Sequence, residues 1–314
     1  MAALMRRAST RAIKQFNHAQ GSYFELSDLA TDTLRILEPY PGLFAYYDGR
    51  VSGKRLYSEY PNWVDDGAYG LGIASYAIVR GSEALVYDTH ISLSHARLIR
   101  SHLEARGVTS ICVVLSHWHD DHIAGNGVFA DCEIIALRLT VETLSKHRKE
   151  IETGVPPISP LVMPNRLFDG RLDLVVGSTK IELHHFNIHS ADGNVLWLPD
   201  SKVLLAGDTL EDTVTYIAEP AHIATHIREL QRLQTWPIEH ILPNHGDEGK
   251  IAAGGYGPSL IDANKSYLER LMAAPHRSRV SLKEFVAPEI DSNSIIYFEP
   301  YEEIHRRNID VLGA

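Results

Sequence analysis

The sequence predicts an α/β (α+β) protein whose two sheets carry helices on their outer faces, a four-layer αββα sandwich. Three observations lead there. Short apolar or alternating runs fall into two groups along the chain, and stretches of helical period lie between them. Histidine and aspartate recur directly after the ends of several of those runs. With 314 residues and 44% hydrophobic content, the chain can bury a core of the size this architecture needs.

Met1 to Gly21 carries Arg6, Arg7, Arg11 and Lys14, with no acidic residue before Glu25. Ala2 to Met5 is too short for the apolar core of a secretory signal, so residues 1–35 read as a basic extension, with an organellar presequence as the alternative. The first group of strands comprises 43–47, 73–80, 84–87, 111–115 and 133–137, with Arg80-Gly81-Ser82-Glu83 as a hairpin turn. The second comprises 172–176, 180–186, 195–198, 203–206 and 240–242. Residues 92–106 place Ala96, Ile99 and Leu103 on one helical face, and Gly107 follows as a stop signal. Residues 139–151, 221–234 and 258–272 have the same period.

Two segments, 50–71 and 152–170, are too long for plain connections in a compact domain and read equally as binding loops or surface links. No low-complexity linker divides the chain. Residues 36–314 are therefore expected to form one catalytic domain, with a helical tail extension from about 258. The end of that tail, 275–314, would cap the domain, line its pocket or dimerise.

The net charge of −10 offers no basic field to gather a phosphate backbone, so a small-molecule substrate is expected rather than nucleic acid. No run approaches the roughly 18 apolar residues of a membrane span. Cys112 and Cys132 read as small core hydrophobes rather than a disulfide, which suits a cytoplasmic protein. Assembly into a homo-oligomer stays open.

The chemistry concentrates in His117-Trp118-His119-Asp120-Asp121-His122, directly after the apolar run 111–115. Uncompensated buried polar groups cost about 1–3 kcal/mol each, so packing alone does not explain three imidazoles here. Imidazole nitrogen and carboxylate oxygen are ligands for zinc, iron and manganese. In an extended backbone His117 and His119 point the same way, whereas Asp121 and His122 begin the next turn and point elsewhere, an arrangement suited to two neighbouring ions. The pattern of strand then ligand recurs at His189, at Asp208 and at His245. Each alone is an ordinary turn residue. Together, and in this order, they predict a metal centre.

With these residues in view, and with Asp88 in Tyr87-Asp88-Thr89 upstream, the chain resembles the metallo-β-lactamase superfamily over roughly residues 43–247. The resemblance implies an αββα fold and a dinuclear site. His117, His119 and His189 would bind the first ion, and Asp121, His122 and His245 the second. Asp208 would bridge them, and Asp88 would brace the ligand loop. The cofactor implied is two divalent metal ions, zinc first, with manganese or iron as alternatives. Metal-bridged hydroxide would attack a carbonyl, and Asp121 would relay the proton to the leaving group as the catalytic residue.

The superfamily spans several chemistries, so the fold alone does not choose among them. Gly207-Asp208-Thr209-Leu210 looks like the lactonase and thioesterase branches, whereas true zinc β-lactamases have another residue at the place of Asp208 and are exported. The expectation is hydrolysis of an ester, lactone or related acyl bond in a small molecule. Alternatives are a β-lactamase-like or phosphodiester hydrolase, a mononuclear iron persulfide dioxygenase, and a non-catalytic binding member.

Other residues receive blander readings. His222 and His226 have the spacing of a helical zinc pair, but Ile223 occupies the place of a catalytic Glu and an apolar stripe with Ile227 and Leu230 explains the helix. One of His184 and His185 should face the cleft by alternation. Trp118 reads as packing, and Asp120 as a surface or loop-bracing carboxylate. Tyr57, Tyr60, Tyr69, Tyr216 and Asn194 are kept as unassigned substrate contacts.

Overall fold

The computed structural model describes Leu26, residues 29–273 and residues 280–313. The basic extension as far as Glu25 lies outside the described residues, as does 274–279 within the tail. The chain divides into two compact units at Asp169/Gly170, and each contains one sheet.

The first unit builds a seven-stranded sheet from β1 (Arg35–Tyr40), β2 (Leu43–Asp48), β3 (Ile73–Arg80), β4 (Glu83–Tyr87), β5 (Ser110–Val114), β6 (Glu133–Leu137) and β7 (Arg166–Phe168), adjacent in chain order. β1 to β4 are an antiparallel meander, and β4 to β7 run parallel. The β3–β4 hairpin closes through Gly81 at φ 62°, with Arg80 opposite Glu83. Parallel neighbours require crossovers. Leu93–Ala105 supplies the helix between β4 and β5, and Arg138–Glu152 the one between β6 and β7.

The first of these helices is capped by Ser92, whose side chain accepts from the His95 amide. Its buried face carries Ala96, Ile99 and Leu103, and the chain leaves it through Gly107 at φ 86°. Ala84 and Val86, Val113 and Leu115, and Ile134 and Ala136 alternate into one core with Ile99, Leu103, Leu144 and Ile151. The intervening residues Leu85, Tyr87, Val114 and Ile135 are also buried, as in a parallel sheet covered on both faces.

The second unit holds β8 (Arg171–Val176), β9 (Thr179–His185), β10 (Asn194–Leu198), β11 (Val203–Gly207) and β12 (His240–Pro243), ordered β12-β11-β10-β9-β8. Only β11 and β12 pair in parallel, and the helix Ile223–Leu233 lies in their crossover. β8 is an edge and alternates: Arg171, Asp173 and Val175 are exposed. β10 and β11 are central and buried throughout.

The described tail ends in helices Leu282–Phe285, Ala287–Asp291 and Tyr301–Gly313. It caps its own unit by holding the segment that follows β11. Asp212 accepts from the Ile296 amide at 2.8 Å, Thr213 Oγ1 donates to Ile296 O at 2.7 Å, and Asn308 bonds both Ile217 N and Thr215 O at 2.9 Å.

Two strands go beyond the sequence expectation. β1 is masked by Glu38-Pro39, and β7, inside the segment read as a loop, is three residues long. Segment 50–71 is not a loose link either. Its Asp65 is buried and accepts from the amides of Leu56, Tyr57 and Ser58 and from Asn62 Nδ2, at 2.5, 3.2, 3.1 and 2.8 Å. Trp63 Nε1 donates to Pro156 O at 3.0 Å, so the two long segments are bonded to each other. Hydrogen bonds to a charged group contribute about 1.5–3 kcal/mol each. Asp65→Ala is expected to lower stability by about 2–4 kcal/mol and to expose 50–71 to limited proteolysis, read by urea denaturation and by mapping of the first cleavage site.

Candidate metal centre

In the first unit the ligand loop leaves the end of β5. Asp88, directly after β4, organises it from below. It is fully buried and its backbone is left-handed at φ 66°. One carboxylate oxygen accepts from the Ser116 amide at 2.6 Å, and the other accepts from Ser116 Oγ at 2.7 Å and His122 Nδ1 at 2.9 Å. Because a carboxylate only accepts, His122 Nδ1 carries the proton and Nε2 keeps its lone pair for a ligand. Nε2 faces Asp121 Oδ1 at 3.5 Å. Thr89 bonds the His122 carbonyl through both its amide and its hydroxyl, at 2.8 and 3.0 Å. Gly125 lets that loop close, since a Cβ there would lie 2.1 Å from Thr89 O.

His117 Nε2 lies 2.9 Å from His119 Nδ1, and His117 Nδ1 lies 2.9 Å from Ser116 Oγ. Two buried imidazole nitrogens facing each other at this distance share at most one proton, and a divalent cation satisfies both lone pairs. His119 stands in extended conformation just before the short helix Asp120–Ile123, which carries Asp121 and His122 and leaves the His122 ring 4.2 Å from that of His117.

The second unit supplies the other donors. His189 follows β9 in a tight turn with φ 63°, and Asp208 follows β11 through Gly207 at φ 57°. His245 follows β12. The turns after β11 and β12 are stitched by Asn244 N to Gly207 O at 3.0 Å and Asp212 N to His245 O at 3.1 Å. Asp208 Oδ2 is 3.7 Å from His189 Nε2 and 3.5 Å from His245 Nε2, a carboxylate oxygen between two imidazoles. The donor chemistry of each half fits divalent cations. All seven side chains belong to groups of histidine and carboxylate donors able to hold a metal ion.

Sequence reasoning overlooked Glu211. It is buried, and its Oε1 lies 3.3 Å from His189 Nδ1 on the side away from Asp208. It is held by the Tyr216 amide at 3.0 Å. A carboxylate behind a metal-binding imidazole fixes its orientation and raises its basicity. The only sequence signal was an acid three residues after Asp208.

Also overlooked was a Ser92-His95-Asp48 chain, with His95 bonded to Ser92 Oγ at 2.6 Å and to Asp48 at 2.9 Å. All three are fully buried and Ser92 caps a helix, so the chain is a brace rather than a nucleophile. Burial opposes ionisation of Asp48, but its bonding and attraction to His95 leave its carboxyl below the usual range. The neighbouring His90 is driven well below its ordinary value by burial and then by His95.

Other candidates separate cleanly. His184 pairs with Glu182 at 2.8 Å and lies edge-on to Trp236, while His185 bonds Ala191 O at 2.8 Å. Both are thereby accounted for by packing and local bonds. Trp118 packs against His119 and His147 as expected. Asp120 is 3% exposed, so the surface reading is wrong, because the turn into the 120–123 helix folds it inward. Tyr60 is 79% exposed, and Tyr69 is buried against Thr33. Tyr216 is buried with its ring 6.4 Å from that of His189. Cys112 and Cys132 are both free thiols.

A fold of two mixed sheets, with imidazole and carboxylate donors at the carboxyl ends of their strands, defines a metallo-β-lactamase architecture. A family model described as the metallo-beta-lactamase superfamily matches residues 68–265, well over half of the chain, and the protein belongs to that superfamily. It is 26% identical over 176 residues to the lactamase-like protein notP of Aspergillus sp. (strain MF297-2), covering 56% of this chain and 49% of the relative. It is equally 26% identical over 176 residues to the atrochrysone carboxyl ACP thioesterase dmxR1 of Cryptosporiopsis sp. (strain 8999), with the same coverage of 56% and 49%. The chain thus spans about half the length of these curated relatives. Among solved structures, the DIM-1 metallo-beta-lactamase exposed to ceftazidime superposes with a TM-score of 0.59 at 22% identity, over 80% of this chain and 99% of that one. No helix among the described residues is long and apolar enough to cross a membrane.

Replacing the partners behind a ligand costs about 10–100-fold in metal affinity. Asp88→Ala and Glu211→Ala are each expected to weaken zinc binding by that factor, measured by competition with a chromophoric chelator. Equal affinities in the variants and the parent protein would show that neither carboxylate orients a ligand.

Proposed function

We propose that the protein is a metal-dependent hydrolase that cleaves an ester, lactone or thioester bond of a small acyl substrate. The observation that carries this reading is the complete donor set: five imidazoles and two carboxylates, all placed at strand ends in a superfamily member. The relatives named thioesterases favour an acyl carbonyl, and a thioester in particular, over a phosphodiester. The acidic net charge of −10 agrees with that choice.

In this reading His117, His119 and His189 would hold one divalent ion and Asp121, His122 and His245 a second, with Asp208 available to both. Zinc is the proposed metal, since every donor is nitrogen or oxygen of the kind it takes. Such a pair of cations, when bound, brings the pKa of water from 15.7 towards about 7 and polarises the acyl oxygen.

The protein's own groups do the remaining work. Asp88 keeps the proton on His122 Nδ1, so Nε2 is the ligand atom. Glu211 places a carboxylate oxygen 3.3 Å from His189 Nδ1, which favours the proton on that nitrogen. Asp121 is half-buried rather than sealed in, with its carboxylate beside His122 Nε2, where it can take a proton from the attacking water and deliver it to the departing oxygen or sulfur. Water adds across the acyl bond, so the products are a carboxylic acid and an alcohol or thiol.

The test is a panel of aryl esters, lactones, thioesters, β-lactams and phosphodiesters offered to zinc-loaded protein. Acyl substrates should be turned over, chelation should abolish turnover, and zinc should restore it. Asp121→Ala is expected to lower kcat by about 10²–10⁴-fold with an unchanged circular dichroism spectrum. A fully active Asp121→Ala protein would remove the proton relay, and turnover confined to phosphodiesters would remove the acyl assignment.

A further inference from the structure

We propose that Glu219, His222 and His226 form an additional site for a divalent cation of the zinc type, separate from the seven ligands above. Glu219 lies just before the turn Pro220–His222, and that turn leads into the helix Ile223–Leu233. His222 and His226 are one helical turn apart and therefore project from the same face. Glu219 Oε2 is 2.7 Å from His222 Nδ1. One ligand atom from each of the three residues lies within 4.8 Å of the other two. Two imidazoles and a carboxylate are the donor set of three-ligand zinc sites, which leave a further position for water.

A second observation points to a ligand. His226 is 2% exposed, and its Nε2 is buried without a hydrogen-bond partner among the described residues. Leaving such a buried atom unsatisfied is unfavourable, and a coordinated cation would satisfy it. The other two donors face solvent, with side chains 29% and 45% exposed for Glu219 and His222. An ion can enter from that side.

The apolar residues Ile223 and Leu230 hold the helix by burial, so the histidines are not needed to anchor it. The sequence argued against this pair because Ile223 occupies the place of a catalytic Glu and an apolar stripe explains the helix. The third donor comes from the turn before the helix, at Glu219, where no helical period reveals it.

The test uses the full-length chain, stripped with chelator, reloaded with zinc and desalted, with bound metal counted by native mass spectrometry. Glu219→Gln and His222→Ala alter partly exposed side chains, so the fold should be retained, checked by circular dichroism. Each variant is expected to hold one zinc ion fewer per chain than the parent protein. Zinc content equal to that of the parent in both variants would overturn the site, as would loss of that ion from the parent protein on simple desalting.

Discussion

The buried carboxylate of Asp88 is the constraint on which the ligand loop of the first unit depends. An ion without exposure costs several kcal/mol unless its oxygens are satisfied, and here three donors from Ser116 and His122 satisfy them at 2.6–2.9 Å. The same bonds tie the end of β4 to the loop leaving β5. They also decide which nitrogen of His122 is left to bind. One interaction thus sets backbone path, ring orientation and protonation together. In the second unit a carboxylate oxygen of Glu211 lies 3.3 Å from His189 Nδ1, a looser approach than that of Asp88 to His122.

Some backbone strain lies at the same places. Among the described residues, non-glycine positions with left-handed backbone include Asp88, His90 and His189. Such conformations cost of order 1–3 kcal/mol each and persist only where surrounding structure over-determines them. The surroundings here are the buried ends of β4 and β5 in one unit and the buried strands β10 and β11 in the other. Rigid apolar strands below and hydrogen-bonded turns above leave the donors little freedom, which is what a preorganised metal site needs.

The segments that frame the ligand loops are also held. Asp65 gathers 50–71 around one carboxylate, and Trp63 fastens it to Pro156. The tail bonds Asp212, Thr213, Thr215 and Ile217, just beyond Asp208 and Glu211. Both limit how far the chain around the ligands can relax.

The candidate donors stood out in the sequence because histidine and aspartate after apolar strands are chemically conspicuous. Most strands and the longer helices were legible too, since burial imposes periods of 2 and 3.6 on the residues that pack. Short or interrupted elements were not: β7 has too few residues to show a period, and Glu38-Pro39 breaks the alternation of β1. The roles of Glu211, Asp65 and Glu219 were invisible for a different reason. Each acts on a partner set by how turns fold back in space, over 22 residues in the chain from His189 to Glu211, and a carboxylate in a turn has the same local signature whether it faces water or an imidazole. Composition and spacing therefore determined which atoms could bind metal, while only tertiary structure decided which carboxylates stand behind them, because orientation depends on contacts that no local period encodes.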